Sequence, residues 1–503
     1  MTRLLRAEWT KLRTVRGWMA GLVLAALLIV GFGALFAAAG HSSCSRGPVE
    51  VPCPVPPLGP DGLAVEDRFY FVHQPLDGDG TITARVASMS GQIRLPDATP
   101  GVRNVVSGLV PWAKAGVMIK ESTEPGSPYA AVLLTGAHGV RMQYDYTEDL
   151  AGAGPSGAPR WLRLTRAGET ITGEESPDGA RWTRVGTARL PGLPARVRVG
   201  LFAASPGDIR VTPNTLGGSA ASSRFAEATA LMDGVSVRGA ATGGAWSRDD
   251  VGAEVNPDGS VHHPGGLVRN GEEFAVTGTG DIAPNTTQST IERSLIGSLV
   301  ALIVVIVVAV LFVSTEYRRG LIHTTLLAGP RRGRVPVAKA AVVGGVTFVL
   351  GLAATAVTPA LARRIGRGNG VYTLPVSTFT ELRVVVGVAA LLAVAAVFAL
   401  ALGTLFRRGS MAVVTAIVTL VVPYALAIAS IVPDEAARWL LRLTPAAGFA
   451  IQQSLPEYAH VTGLYAPAAG YFPLPPWAGF AVLCAYAALA LGLAAYRIER
   501  RDA

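Results

Sequence analysis

The sequence predicts an α-helical membrane protein with six transmembrane helices and an all-β sandwich inserted between the first and second of them. Three observations predict this. Half of the 503 residues are apolar and only 16% are charged, with a mean hydropathy above zero. Six runs are apolar enough, at about twenty residues each, to cross a bilayer core. Between the first two of them the hydrophobic pattern changes to a period of two.

The six runs are 17–39, 294–314, 340–362, 384–406, 410–432 and 476–496. None carries an ionisable residue in its interior, which argues against an ion-coupled pump. Pro423 is expected to break the fifth helix locally. Ahead of the first run, Leu5, Trp9 and Leu12 recur at helical spacing among Arg and Lys, a pattern suited to an interface helix lying on membrane lipid. Orientation follows from short basic flanks. Arg318, Arg319, Arg331, Arg332 and Arg334 fill the second-to-third connection, and Arg497, Arg500 and Arg501 close the chain. These predict a cell-membrane protein with both termini cytoplasmic and residues 40–293 extracytoplasmic. One connection disagrees: Arg363, Arg364 and Arg367 fall on the outer side. The net charge of +9 belongs to such flanks and does not imply nucleic acid.

The organisation expected is therefore 1–40 for the interface helix and first span, 41–64 for a Pro-rich linker, 65–283 for the sandwich and 284–503 for the remaining helices. Strand-like runs are 69–74, 81–87, 115–121, 130–135, 140–146, 161–166, 170–174, 182–187, 197–203 and 228–237, with turns at 77–80 and 177–179. The stretch 112–122, WAKAGVMIKES, reads as a half-buried strand with Val117 and Ile119 on one face and Met118 and Lys120 on the other. Cys44 and Cys53 flank a short Pro-rich loop that an extracytoplasmic disulfide could close.

No residue run matches the phosphate-cradling frame G-x-x-x-x-G-K-[ST] around any of the four lysines. ATP hydrolysis, if used, falls to a partner, and no cofactor is expected here. The 316–339 connection, EYRRGLIHTTLLAGPRRGRVPVAK, holds apolar residues that need a partner groove or a membrane face. No E-x-D-x-x-E strand pattern is present, so glycoside hydrolysis is not expected. Trp112, Tyr129, Tyr144 and Tyr146 are candidates for stacking on a sugar, although the sandwich core is the more expected place for each of them.

RAEWTKLRTVRGW near the start, the 316–339 connection, TPAAGFAIQ at 444–452 and the terminal RIERRDA resemble ABC-2 type permeases of actinobacteria. The resemblance implies a permease that pairs with itself or a second permease and binds a separate cytoplasmic ABC ATPase subunit. It also implies that Glu316, Arg318, Arg319, Gly320, Leu326 and Leu327 couple that ATPase to the membrane helices, and that residues 433–475 form an outer helical hairpin. The insert, through DRFYFVHQPLDGDGTITARV, WAKAGVMIKES and VRVGLFAAS, resembles concanavalin A-like sandwich domains of the β-xylosidase C-terminal type. In that family a segment like WSRDDVG…FAVTGTGDI precedes the first of these strands. Here it comes last, which implies a circularly permuted jelly roll and allows a glycan or cell-wall ligand. Together the two resemblances imply an ABC-2 exporter subunit with an outside recognition domain. The rival reading is a non-transporting, membrane-anchored sensor or scaffold.

Overall fold

The computed structural model describes residues 2–501 apart from 47–48, 52, 97–103, 153–157, 214, 216–217, 241–242, 257, 263 and 319–332. The chain begins with α1 (Thr2–Thr14) and α2 (Arg16–Ala39), which meet at an extended Val15. Strands follow: β1 (Cys44–Arg46), β2 (Val49–Val51), β3 (Val65–Asp67), β4 (Phe69–Arg94), β5 (Val105–Ser107), β6 (Lys114–Lys120), β7 (Tyr129–Thr135), β8 (Val140–Tyr144), β9 (Glu148–Ala151), β10 (Arg160–Ala167), β11 (Thr170–Ser176), β12 (Thr183–Arg189), β13 (Arg196–Ala204), β14 (Asp208–Pro213), β15 (Ser219–Arg224), β16 (Ala226–Ala240), β17 (Ser247–Val251), β18 (Gly266–Asn270), β19 (Glu273–Gly278) and β20 (Ile282–Pro284). The helices resume with α3 (Ile291–Ser294), α4 (Gly297–Arg318), α5 (Arg334–Gly368), α6 (Thr378–Phe406), α7 (Gly409–Ala416), α8 (Val422–Ile428), α9 (Asp434–Leu443) and α10 (Pro476–Arg501).

Six helical segments among the described residues are long and apolar enough to cross a membrane, and they fall on the six runs read from sequence. Their shared core draws only on residues of the helices and the segments joining them, from Leu12 to Ile29 and from Ile291 to Ala490. α5 is longer than its apolar run. At about 1.5 Å per residue its 35 residues exceed a hydrocarbon core of about 30 Å. Arg363, Arg364 and Arg367 therefore sit on a continuing helix and not in a loop. Pro359 lies inside this helix, yet the helix runs on past it to the glycine-rich end at 366–370.

The fifth span is split as Pro423 requires. A π-helical turn, Ile417–Val421, separates α7 from α8, and Pro423 lies in the first turn of α8. Proline has no N–H to donate, and the wider turn absorbs the lost bond. The 433–475 region holds α9 and a 3-10 helix, Pro445–Gln452, whose residues are all buried. Trp439 and Leu443 on α9 are exposed, 50% and 64%, while Ala437 and Leu441 are buried and pack inward.

The β region is one hydrogen-bonded sheet of 14 strands folded over itself, with three small two-stranded sheets beside it. β4 belongs to both layers. Its Phe69–Asp77 part lies between β13 and β17, and its later part between β10 and β16. The expected turn at 77–80 is therefore not a reversal. Gly78 takes a positive φ of 70° there, and the strand bends from one layer into the other. Pro177 to Gly179 does join two antiparallel partners, β11 and β12. The layers enclose Val72, Ile82, Val117, Ile119, Val132, Leu164, Val199 and Phe274.

β6 is buried on both faces, not one. A second apolar layer, including Phe69, Phe71, Met118, Tyr129, Tyr146 and Phe202, covers its other side. β3 and β20 pair beside this layer, Val65 opposite Pro284. The two ends of the β region thus meet, and Asn285 N–H donates to the carbonyl of Ala64 at 2.9 Å. The β1–β2 hairpin nearby is closed by a Cys44–Cys53 disulfide.

Candidate functional site

Glu316 stands on the last turn of α4, one helical step from the 319–332 segment. It is 6% exposed and does not face water alone. Lys339, from the first turns of α5, donates to Glu316 Oε1 at 2.6 Å and to Glu8 Oε2 at 2.7 Å. Lys11 donates to Glu8 Oε1 at 3.1 Å and to Glu316 Oε1 at 3.3 Å. Two carboxylates and two ammonium groups thus alternate around a square of zero net charge. Glu8 and Lys339 are each 1% exposed.

The local sequence dictates this arrangement. On α1, Glu8 and Lys11 are three residues apart and share a face with the buried Leu12. Lys339 lies over the ring of Phe312 at 4.9 Å, one turn before Glu316, and Trp18 packs edge-on to that ring. Burying four charges is tolerable only because each has an opposite neighbour at hydrogen-bonding distance. Lys11 is the half-exposed corner. Burial pulls its pKa down, but Glu8 and Glu316 outweigh burial and raise it overall. Among the described residues, Glu316 Oε2 is buried without a partner.

The square ties α1 to both roots of the 319–332 segment. Arg319, Gly320, Leu326 and Leu327, expected to act with Glu316, lie outside the described residues, and Arg318 is described only as the last residue of α4. Sequence reading singled out Glu316 but missed Glu8 and Lys339 as its partners. Lys339 is 23 positions away and Glu8 over 300, and no local period reports such a pairing.

A second buried ionic layer lies where the β region meets the helices. Lys120 donates to Asp67 Oδ2 at 2.8 Å, to the Tyr146 hydroxyl and to the carbonyl of Ser127. Lys114 pairs with Asp281 and with the carbonyl of Ile282. Burial lowers the Lys120 pKa against the pull of Asp67, and burial raises that of Tyr146 well above its ordinary value. His460, from the segment before α10, reaches into this layer. Its Nε2 lies 3.0 Å from the Tyr146 carbonyl oxygen. Burial, then the Lys114 ammonium, hold His460 below the usual histidine range.

These contacts correct the sugar-stacking candidates. Tyr129 and Tyr146 are each 1% exposed and pack edge-on to one another. Trp112 is 7% exposed, stacked on His138 at 4.0 Å. Tyr144 is partly buried against the interlayer core. The rings of Tyr129 and Tyr146 are spent on protein in the second apolar layer, beside the β3–β20 pair. Among the described residues no cluster of His, Cys, Asp or Glu could hold a metal ion.

No protein-family model matches the chain, and no curated protein matches it. Two solved structures show weak likeness. One is a functionally unknown protein from Saccharomyces cerevisiae, 15% identical, covering 34% of this chain and 75% of its own, with a TM-score of 0.20. The other is SCP-B, a member of the eqolisin family of peptidases, in a complex with a tripeptide. It is 8% identical and covers 42% of this chain and 98% of its own, with a TM-score of 0.24. Likeness this weak carries no argument about the chain.

Proposed function

We propose that the chain is the membrane subunit of an ABC-2 type exporter, working as a pair with itself or a second permease and driven by a separate cytoplasmic ATPase. The observation that carries this reading is the charge square. It fixes α1, the end of α4 and the start of α5 into one rigid unit, at the roots of the segment expected to dock the ATPase. A push on that segment would move three helices together and not bend one. The basic flanks support a cytoplasmic position for this end and an outside position for the β region.

In this reading the β region is a permuted concanavalin A-like jelly roll. The pairing of β17 with the start of β4, and of β20 with β3, supports it. A strand segment that follows in sequence completes the edge where the domain begins. The domain meets a glycan, the cell wall or a protein near the exit of the pathway, by surfaces other than the buried rings of Trp112, Tyr129 and Tyr146.

The test is purification from the native host in mild detergent, with co-purifying chains identified by mass spectrometry, against a Glu316→Ala/Gly320→Pro variant. An ATPase recovered with the parent and lost with the variant is the expected result. No ATPase in either sample, under conditions that preserve a known ABC complex, favours the membrane-anchored sensor instead.

A further inference from the structure

The arginines of α5 that contradict the charge rule have a structural counterpart. At the β-region end of the helices, a cavity of about 400 Å³ opens between α2, α5 and the 287–294 segment, a size typical of small-ligand sites. Its walls are of two kinds. Phe36 and Ala37 of α2 and Pro359 and Ala362 of α5 make an apolar floor, while Arg293, Arg363 and the Thr287-to-Thr290 stretch make a polar rim. The floor is closed tightly at Gly33. A Cβ there would meet the Ser294 carbonyl oxygen at 2.5 Å.

The rim is cationic. Arg363 is paired with Glu381 at 2.6 Å, while no salt bridge reaches Arg293 among the described residues. Arg364 and Arg367 add charge on the exposed side of the same helix end. Beside the rim, Leu35 and Phe36 of α2 are 60% and 54% exposed, and Phe36, which also lines the cavity, carries the apolar floor onto the outer face of the helix. A cationic rim above an apolar floor, open to an apolar helix face, matches one ligand chemistry: a phosphate-bearing headgroup joined to acyl chains.

We propose that this cavity seats the headgroup and first methylenes of an anionic phospholipid from the leaflet on the β-region side. That this leaflet is the outer one rests on the orientation given under Proposed function; the chemistry of the site does not. The lipid phosphate would balance arginines that otherwise sit on the wrong side of the membrane.

Native mass spectrometry of the purified full chain tests this, using phosphatidylglycerol and phosphatidylcholine of matched acyl chains, and glycerol 3-phosphate as the free headgroup. Phosphatidylglycerol should bind about tenfold more tightly than phosphatidylcholine. Arg293→Gln should remove most of that preference, and so should the charge-balanced Arg363→Gln/Glu381→Gln pair. Ala37→Phe, which fills the floor and touches no charge, should weaken both lipids. Equal binding of the two lipids, or phosphatidylglycerol binding unchanged in all three variants, overturns the assignment. Glycerol 3-phosphate binding as tightly as the lipid overturns it too, in favour of a soluble phosphate. ATPase capture is a separate readout. A lipid result with no ATPase leaves this site standing, and an ATPase without lipid preference removes this site alone.

Discussion

Lys339 is the residue on which the charge square depends, because it is the buried one of the two lysines and bonds both carboxylates at the shorter distances. Removing one member of a buried ionic group costs about 3–5 kcal/mol, since the other charges stay buried without compensation. Lys339→Met should therefore lower the thermal unfolding midpoint of the detergent-solubilised protein sharply. Lys339→Met with Glu8→Gln leaves the Lys11–Glu316 pair balanced and should recover much of the loss. Equal melting of the single and double variants would show that the square is not cooperative. Asp145 offers a test by pH. Burial, then Asp61, pushes its pKa up to about 6. Below about pH 4 the carboxyl is protonated in folded and unfolded chains alike and costs nothing. As pH rises through 6 the folded chain must ionise it against burial, so stability falls. With partial screening by solvent the loss is about 1 kcal/mol between pH 5 and 7.5. Asp145 has a φ of 46°, which asparagine tolerates, so Asp145→Asn should flatten that part of the pH profile without straining the turn. A profile of unchanged slope would reject the assignment.

At the scale of single elements, Tyr424 follows the π turn and Pro423 in the first turn of α8. Its ring stacks on Phe449 with centroids 3.7 Å apart, and its hydroxyl accepts from Gln452 Nε2 at 2.7 Å. Tyr424→Phe strands that buried amide, at a cost of about 1–3 kcal/mol. Tyr424→Phe/Gln452→Leu removes both partners and should melt closer to the parent. The β1–β2 hairpin makes a simpler prediction. With Cys44 bonded to Cys53 and Cys484 free, an alkylating reagent should add one mass increment to the unfolded chain before reduction and three after. These elements also show what a sequence can disclose. The six spans are legible because hydropathy is a local sum. The strands flanking Phe69 to Val86 are legible by alternation, but their junction is not. Asp-Gly-Asp-Gly reads as a turn, and only the pairing of both halves with different neighbours makes it a bend within β4. Which charge meets which, as in Glu8 with Lys339, lies outside any local pattern.

For the whole molecule, the helix core and the interlayer core of the sheet share no residue, and the two ends of the β region pair at Val65 and Pro284. A chain with residues 66–283 replaced by a short Gly-Ser linker should therefore keep its helices packed. Size-exclusion chromatography and thermal melting in detergent would check this. Aggregation of the shortened chain would mean that the His460 contact with Tyr146 is needed to hold the helices as well as the domain.

Lysine is rare in this chain, four residues against 40 arginines, and the structure hides nearly all of it. Lys114 and Lys120 have fully buried side chains, Lys339 is 1% exposed, and only Lys11 is 38% exposed. The folded protein should accordingly be almost blank to amine-reactive dyes, which would mark the amino terminus and Lys11 alone. Dye appearing on Lys114 or Lys120 would time the opening of the β region, and dye on Lys339 the opening of the helices. The scarcity of lysine thus equips the protein with a separate chemical clock for each of its two halves.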